Sequence, residues 1–308
     1  MGLVDRALAG DRRALSLLTS ILERGDDEAD AVMAALPTPS PTAHVVGLTG
    51  PPGAGKSSIV NRLISASRGR GDAIAVLLVD PSSPFTGGAV LGDRVRLDER
   101  PDDGVFVRSV ASRGWEGGLA PGIAFMLRLF AAAGFGTIVV ESVGVGQDAV
   151  DIRQLVDTVV VVQVPNLGDT VQTLKAGILE IADVYVVNKA DLPGCRTTVR
   201  ELNALLRLAP IPDDRFDPAV VAVSTKDGTG LGGLNAAVER HRVWLAERGD
   251  VPDPLVRQTT WYLRKRLEQA VRSLERSGAM HAIVGDVVDG RLTSREATAR
   301  VSELLTGR

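Results

Sequence analysis

The sequence predicts an α/β fold: three layers around a mostly parallel sheet, with a helical extension before it and a helical arm after it. Three observations carry that prediction. Short Val/Ile runs without polar alternation recur through the middle of the chain, the pattern of strands covered on both faces. Helix-like segments fall between those runs, as βα units require. Proline clusters set off both ends of the alternating region.

The first 36 residues read as helix, with Leu8, Leu15, Leu18, Ile21 and Leu22 at roughly helical spacing. Pro37-Thr38-Pro39-Ser40-Pro41 breaks that pattern and reads as a linker. Strands are expected over Val45–Thr49, Ile74–Asp80, Val105–Ser109, Thr137–Glu141, Thr158–Val164, Val184–Asn188 and Val220–Ser224. Helices are expected near Lys56–Ser67, Ile123–Ala133, Thr170–Ile181, Thr197–Leu208 and Leu231–Leu245. Beyond Pro252 and Pro254 the pattern changes to two charged helices, over 255–277 and 292–306, the second with Ser294 as its cap. The expected domains are a helical extension and linker (1–42), the α/β domain (43–250) and a helical arm (251–308).

Composition narrows the function. The 308 residues are 44% hydrophobic and 24% charged, an ordinary globular balance. A net charge of −3 gives no field that would draw the chain to nucleic acid or an acidic membrane. The one cysteine, Cys195, excludes an internal disulfide and any multi-cysteine metal site, which fits a reducing cytoplasm. No run approaches the ~18 apolar residues of a membrane span. Residues 1–13 carry five charges and no apolar signal core. A soluble, cytoplasmic protein is expected. Only five of its basic residues are lysine, so a retained lysine suggests a need for the compact ammonium.

The first chemical signal is Gly50-Pro51-Pro52-Gly53-Ala54-Gly55-Lys56-Ser57, with Ser58 beside it. It follows a predicted strand and opens a predicted helix, the context a phosphate-binding P-loop requires. Glycines let backbone N–H groups turn toward phosphate oxygens, and the helix N-terminus adds positive potential. Lys56 suits the β/γ-phosphates and the Ser57 hydroxyl suits Mg²⁺.

The base signal is Asn188-Lys189-Ala190-Asp191 at the end of a later strand. Asp191 can accept from the guanine ring N–H and exocyclic amine, which adenine cannot satisfy, and the stem of Lys189 can lie along the base. Ser224-Thr225-Lys226, at the next strand end, fits a loop that backs the guanine. Together the motifs predict a P-loop GTPase binding GTP/GDP with Mg²⁺.

Carboxylates at other strand ends complete the set. Asp80 ends a strand, and Leu91-Gly92-Asp93-Arg94 follows. Both Asp80 and Asp93 suit Mg²⁺ and its water, and both also read as capping or turn aspartates. Glu141-Ser142-Val143-Gly144-Val145-Gly146-Gln147 sits where a Walker B carboxylate and second switch belong. Gly144 offers an amide to γ-phosphate, and Gln147 suits either water orientation or a loop hydrogen bond. The expected catalytic residues are Lys56, Asp93 and Glu141. The glutamate, where small G proteins carry aspartate, points to another branch of GTPases.

The P-loop, Asp80-Pro81-Ser82-Ser83, Gly87-Gly88, Leu91-Gly92-Asp93, Glu141–Gln147 and Asn188–Asp191 occur in one order that resembles the MeaB/ArgK/MMAA family of P-loop GTPases. The resemblance extends to Ala9–Leu15, Phe106–Ser109 and Lys175–Ile178. It implies a GTP-dependent chaperone that gates adenosylcobalamin loading of a cobalamin-dependent acyl-CoA mutase, most often methylmalonyl-CoA mutase, and protects or reactivates it. It implies slow hydrolysis stimulated by the mutase, a cobalamin adenosyltransferase as a further partner, and a homodimer through the C-terminal arm. It assigns Ser57, Asp80, Asp93 and Glu141 to magnesium, Asn188 and Asp191 to guanine, and residues 165–176 to an extra switch that senses the partner. Two places depart from the family: Trp115-Glu116 in a glycine frame, and Asn166 and Thr170 in the extra switch. Both leave open a sister mutase acting on another acyl-CoA, such as 2-hydroxyisobutyryl-CoA or ethylmalonyl-CoA.

Two other classes compete. A nickel-delivery metallochaperone GTPase shares such a core but wants His-rich or Cys-containing metal motifs, and this chain has three scattered histidines. A small-molecule kinase or transport-linked ATPase conflicts with Asn188–Asp191. Trp115 reads as either a partner contact or packing, and Trp244 and Trp261 as core or dimer contacts. Cys195 reads as a loop thiol, and Arg264-Lys265-Arg266 as a solvated helix face.

Overall fold

The computed structural model describes residues 2–38, 43–80, 103–111, 119–142, 147–165, 180–208, 215–248 and 253–306. The chain divides into two compact units, 1–258 and 259–308.

The first unit opens with three short helices: α1 (Leu3–Leu8), α2 (Arg12–Arg24) and α3 (Asp27–Ala35). The expected single helical stretch is broken because Gly10 and Gly25 take positive φ, and Asp11 then caps α2 through the N–H groups of Arg13 and Ala14. These hydrogen bonds, with Arg6, hold the Asp11 carboxyl below its ordinary pKa. The strands are β1 (His44–Thr49), β2 (Ile74–Asp80), β3 (Val105–Ala111), β4 (Thr137–Glu141), β5 (Thr158–Gln163), β6 (Val184–Val187) and β7 (Ala219–Ala222). They form one seven-stranded sheet in the order β3-β2-β4-β1-β5-β6-β7, with every pair parallel. The strand expectations hold to within two residues at either end.

Between the strands lie α4 (Lys56–Gly69), α5 (Gly122–Ala132), α6 (Gln147–Leu155), α7 (Cys195–Leu208) and α8 (Leu231–Glu247). Ile59, Val60 and Leu63 of α4 and Leu234, Ala237 and Val238 of α8 pack on Val46, Leu48, Val76, Val139, Val160 and Val186 of one sheet face. Helix α6 covers β1 on the other face, so closely that a Cβ at Gly47 would sit 2.7 Å from Ile152 Cδ1. The sequence pattern predicts no helix at α6. Of the expected helix over 170–181, only its last two residues fall within the described ones. Cys195 is buried in the first turn of α7 rather than in a loop, and burial pushes its thiol pKa up.

The N-terminal helices pack onto the β3 edge of this unit. Arg12 donates to the carbonyls of Asp103 and Val105. Arg108 on β3 pairs with Glu23 at 3.3 Å and donates to Ser20 at 2.9 Å. Gly122 at the start of α5 leaves no room for a side chain, since a Cβ there would meet the Leu22 carbonyl oxygen at 2.3 Å.

The long helix α9 (Pro254–Arg276) leaves the first unit, and α10 (Ala279–Val288) and α11 (Ser294–Thr306) complete the second. Helix α10 is not expected from the sequence. Ser294 is the first helical residue, not the cap. Thr293 caps α11 in a reciprocal box with Glu296, whose carboxylate accepts the Thr293 N–H at 2.8 Å. Lys265 departs from the solvated face expected of its run: it is buried, 3.4 Å from Glu268 and 6.0 Å from the Trp261 ring. Among the described residues no helix is long and apolar enough to cross a membrane.

Candidate functional site

All strands are parallel, so their C-terminal ends share one sheet edge, where open α/β sheets bind ligands. The sequence motifs collect there. Strand β1 runs into the loop 50–55, and α4 starts at Lys56. Two glycines in that loop are dictated by geometry. Gly50 has φ +151° and approaches β5 so closely that a Cβ would lie 2.3 Å from the Val162 carbonyl oxygen. Gly55, with φ +87°, caps α4, and a Cβ there would lie 2.3 Å from Asn188 Nδ2. Pro52, Gly53 and Ser58 are exposed, whereas Pro51 and Ala54 are buried.

Lys56 is 9% exposed, and its Nζ donates to the carbonyls of Gly50 at 2.9 Å and Pro51 at 3.3 Å. The ammonium is thereby held beneath the loop that it shares with the glycine N–H groups. Ser57 Oγ donates to Glu141 Oε1 at 3.0 Å. That bond joins the first turn of α4 to the end of β4, residues 84 apart in sequence. Asp80, 4% exposed, ends the neighbouring strand β2, two positions beyond the residue that pairs with Glu141. A hydroxyl and two carboxylates at adjacent strand ends make a set of hard oxygen donors, the chemistry that magnesium selects.

The base motif sits across β5. Asn188, 1% exposed, donates from Nδ2 to the Ala54 carbonyl at 2.8 Å, which ties this segment to the phosphate loop. Lys189 has φ +58°, a left-handed conformation uncommon for a residue with a side chain. Asp191 Oδ1 accepts from Ser224 Oγ at 3.2 Å, and Lys226 Nζ lies 4.0 Å from Asp191 Oδ2. The Thr225 carbonyl accepts from Arg62 of α4 at 2.9 Å. Asp227 closes this loop by accepting from the Thr229 N–H, which holds its carboxyl below the ordinary range. The loop 224–226 therefore braces Asp191 from one side while Asn188 braces the phosphate loop from the other.

The structure thus brings together Gly50 to Ser58, Asp80, Glu141, Asn188 to Asp191 and Ser224 to Lys226 at one sheet edge. Asp93 and Gly144 lie outside the described residues, as do Trp115, Glu116, Asn166 and Thr170; of the extra switch over 165–176, only Pro165 is described. The sequence does not single out Arg62 or Ala54 as cross-links, because no local pattern marks a carbonyl that a distant strand will need.

A second polar cluster lies toward the opposite, N-terminal edge of the sheet. Asp183, just before β6, accepts from Arg153 at 2.5 Å and from the Val159 N–H at 2.7 Å. His241 Nε2 lies 3.4 Å from its other oxygen, and Thr158 Oγ1 bonds both His241 Nδ1 and His44 Nε2. Burial raises the Asp183 carboxyl to about 6 despite Arg153, and lowers His241 to about 3. Trp244, half-buried, stacks on His241.

A family model described as methylmalonyl-CoA mutase-associated GTPase MeaB matches residues 12–279. A protein of Pyrococcus horikoshii named as a GTPase is 40% identical over 275 residues, 88% of this chain and 84% of that one. A protein of Cupriavidus metallidurans named fused isobutyryl-CoA mutase is 36% identical over 203 residues, 65% of this chain but 19% of that longer one. The crystal structure of a LAO/AO transport system kinase superposes with a TM-score of 0.73 at 24% identity, covering 99% of this chain and 96% of the other, which shows a common fold. With the P-loop, the guanine motif and the parallel sheet all falling inside the stretch that the family model matches, the chain belongs to the MeaB family of GTPases.

Proposed function

We propose that this chain is a GTP-hydrolysing chaperone of a cobalamin-dependent acyl-CoA mutase, and that it gates adenosylcobalamin loading and protects or reactivates the mutase. The nucleotide half rests on the Ser57–Glu141 and Asn188–Ala54 bonds, which join three motifs distant in sequence around one loop. The partner half rests on the family match and on the fused isobutyryl-CoA mutase that carries a similar stretch. Methylmalonyl-CoA mutase is the preferred client; a sister mutase is the second reading, favoured by that fused relative.

In this reading the Lys56 ammonium exchanges its two loop carbonyls for the β- and γ-phosphate oxygens. Ser57, Asp80, Asp93 and Glu141 hold magnesium, which neutralises phosphate charge. Asn188 supports the phosphate loop against the base, and Asp191, braced by Ser224, reads the guanine N–H groups. Glu141, Asp93 and the amide of Gly144 organise the water and the γ-phosphate side, and hydrolysis releases the switch segments. Residues 1–42 serve as an extension, 43–250 as the GTPase domain and 251–308 as a dimerisation arm of a cytoplasmic homodimer, with an adenosyltransferase as a further partner.

The test is GTP hydrolysis by the pure chain, alone and with each cobalamin-dependent mutase of the same cell. Slow turnover accelerated by one mutase supports the proposal and names the client. Turnover unchanged by every mutase overturns the chaperone half.

A further inference from the structure

A cavity of about 260 Å³ opens at the N-terminal edge of the sheet, opposite the edge that carries the nucleotide motifs. It lies wholly within the first compact unit. Its walls are the last turns of α4 and one face of α8, and its floor is formed by the starts of β1 and β4. Helix α4 therefore carries the phosphate loop at its first turn and this cavity at its last. Val46 and Val139 make the base apolar, and His44, 8% exposed, stands with them. Two ion pairs rim the opening. Arg70 Nε donates to Asp72 at 3.0 Å, and Arg242 grips Glu239 through Nε at 3.0 Å and Nη2 at 2.7 Å.

These polar groups keep capacity to spare. Arg70 and Arg242 each commit Nε and Nη2 within the chain, Arg70 Nη2 reaching Ser67 Oγ at 3.4 Å. Among the described residues neither Nη1 has a partner. Each guanidinium thus keeps a free edge, and that fork is the shape that grips a carboxylate. His44 Nε2 bonds Thr158 Oγ1, and its Nδ1 has no partner among the described residues. The role of that nitrogen follows from the groups behind it. Burial keeps His241 neutral, and its Nε2 faces the Asp183 carboxylate at 3.4 Å, which favours the ring proton there. His241 Nδ1 then accepts the single Thr158 hydroxyl proton, and Thr158 accepts from His44 Nε2–H. His44, itself held neutral by burial, is left with a bare acceptor at Nδ1.

The balance of charge decides what fits. Two guanidiniums and two carboxylates leave the rim with no net charge. A simple anion meets Asp72 and Glu239 as well as the guanidiniums, and a simple amine meets the reverse. A molecule that carries both signs satisfies both sets: its carboxylate takes the free guanidinium edges, and its ammonium donates to His44 Nδ1 and the remaining carboxylate lone pairs. The volume falls just below the roughly 300–1,000 Å³ of ordinary ligand sites, which restricts the guest to a small molecule. We propose that this cavity is a binding site for a small zwitterion, an α-amino acid with a short apolar side chain, held by Arg70, Arg242 and His44 with its side chain over Val46 and Val139. The site is separate from the nucleotide edge and does not rest on the GTPase reading.

The experiment titrates the full chain calorimetrically with each of the common amino acids. At least one with a short apolar side chain should bind with a Kd of about 10 μM to 1 mM. Two derivatives of that amino acid separate its charges: the N-acetyl form lacks the ammonium, and the primary amide lacks the carboxylate. Each should bind at least about tenfold more weakly. Arg70→Gln and Arg242→Gln should each weaken binding about tenfold while leaving GDP affinity within about twofold of the parent, with thermal unfolding as the check on folding. Absence of binding by every amino acid at about 10 mM overturns the proposal. So does equal binding of the N-acetyl form, which marks a plain anion site, and so does binding that neither variant weakens, which puts the ligand elsewhere. If a variant fails to fold, the two derivatives on the parent chain decide.

Discussion

Asn188→Ala tests whether the base segment and the phosphate loop act as one device. Asn188 is 1% exposed, and its Nδ2 is 2.8 Å from the carbonyl of Ala54, itself 0% exposed. Truncation leaves that carbonyl without its donor in a place water reaches poorly, at a cost of about 1–3 kcal/mol. At about 1.4 kcal/mol per decade, the loss corresponds to roughly 5- to 150-fold weaker binding if it is felt entirely at the nucleotide. The assay is titration of the pure chain with a fluorescent GDP, alongside thermal unfolding. Gly55→Ala provides an internal check, because its added Cβ would meet Asn188 Nδ2 at 2.3 Å and must push the same side chain away. The two substitutions should therefore be non-additive: the double variant should bind GDP little worse than the weaker single one. The coupling fails if Asn188→Ala keeps GDP affinity within about twofold of the parent and lowers only the melting temperature. The bond would then serve the fold and not the site.

Two further outcomes are expected. Asp191→Asn should shift preference from guanine toward xanthine nucleotides, since the amide can no longer accept from both guanine donors; competition between GDP and XDP measures it, and an undiminished GDP preference removes Asp191 from the base site. Asp183→Asn should change the pH dependence of stability. The Asp183 carboxyl rises from 3.8 to about 6 on folding, so its contribution is full below about pH 4 and is lost as pH rises through about 6. The loss reaches about 3 kcal/mol, since each tenfold change in proton affinity is worth about 1.4 kcal/mol. His241 falls from 6.5 to about 3, so its contribution is present above 6.5 and fades as pH falls. Without the opposing carboxyl, the variant should gain more stability than the parent between pH 4 and 6 in urea unfolding. Parallel curves for the two chains would contradict this.

The parallel sheet was legible because each strand announces itself locally. Val159 to Val162 and Val184 to Val187 are apolar at every position, which only a strand covered on both faces tolerates. The phosphate loop was legible for a similar reason: Gly50 and Gly55 meet backbone and side-chain obstacles that no other residue would clear, so the chemistry is written into consecutive letters. Helix α6 was not legible. It is only nine residues long, with four apolar residues (Ala149, Val150, Ile152 and Leu155), and it begins at the end of a segment that reads as a switch. What secures it is the absence of a side chain at Gly47, about a hundred residues earlier, and donors from Gln258, about a hundred later. Helix α10 follows Gly278, whose positive φ restarts the chain in a new direction that a periodicity argument reads as a loop. Motifs that bind a small ligand compress their requirements into a few neighbouring positions, because backbone atoms do most of the binding. The groups that brace such motifs are single polar side chains on other elements, here Arg62 of α4, which donates to the Thr225 carbonyl, and such a side chain resembles any surface residue until the fold supplies its partner. A sequence motif of this kind therefore reveals the nucleotide chemistry earlier than it reveals what controls that chemistry, and the control is found by asking which buried carbonyls and carboxylates the motif itself leaves unmatched.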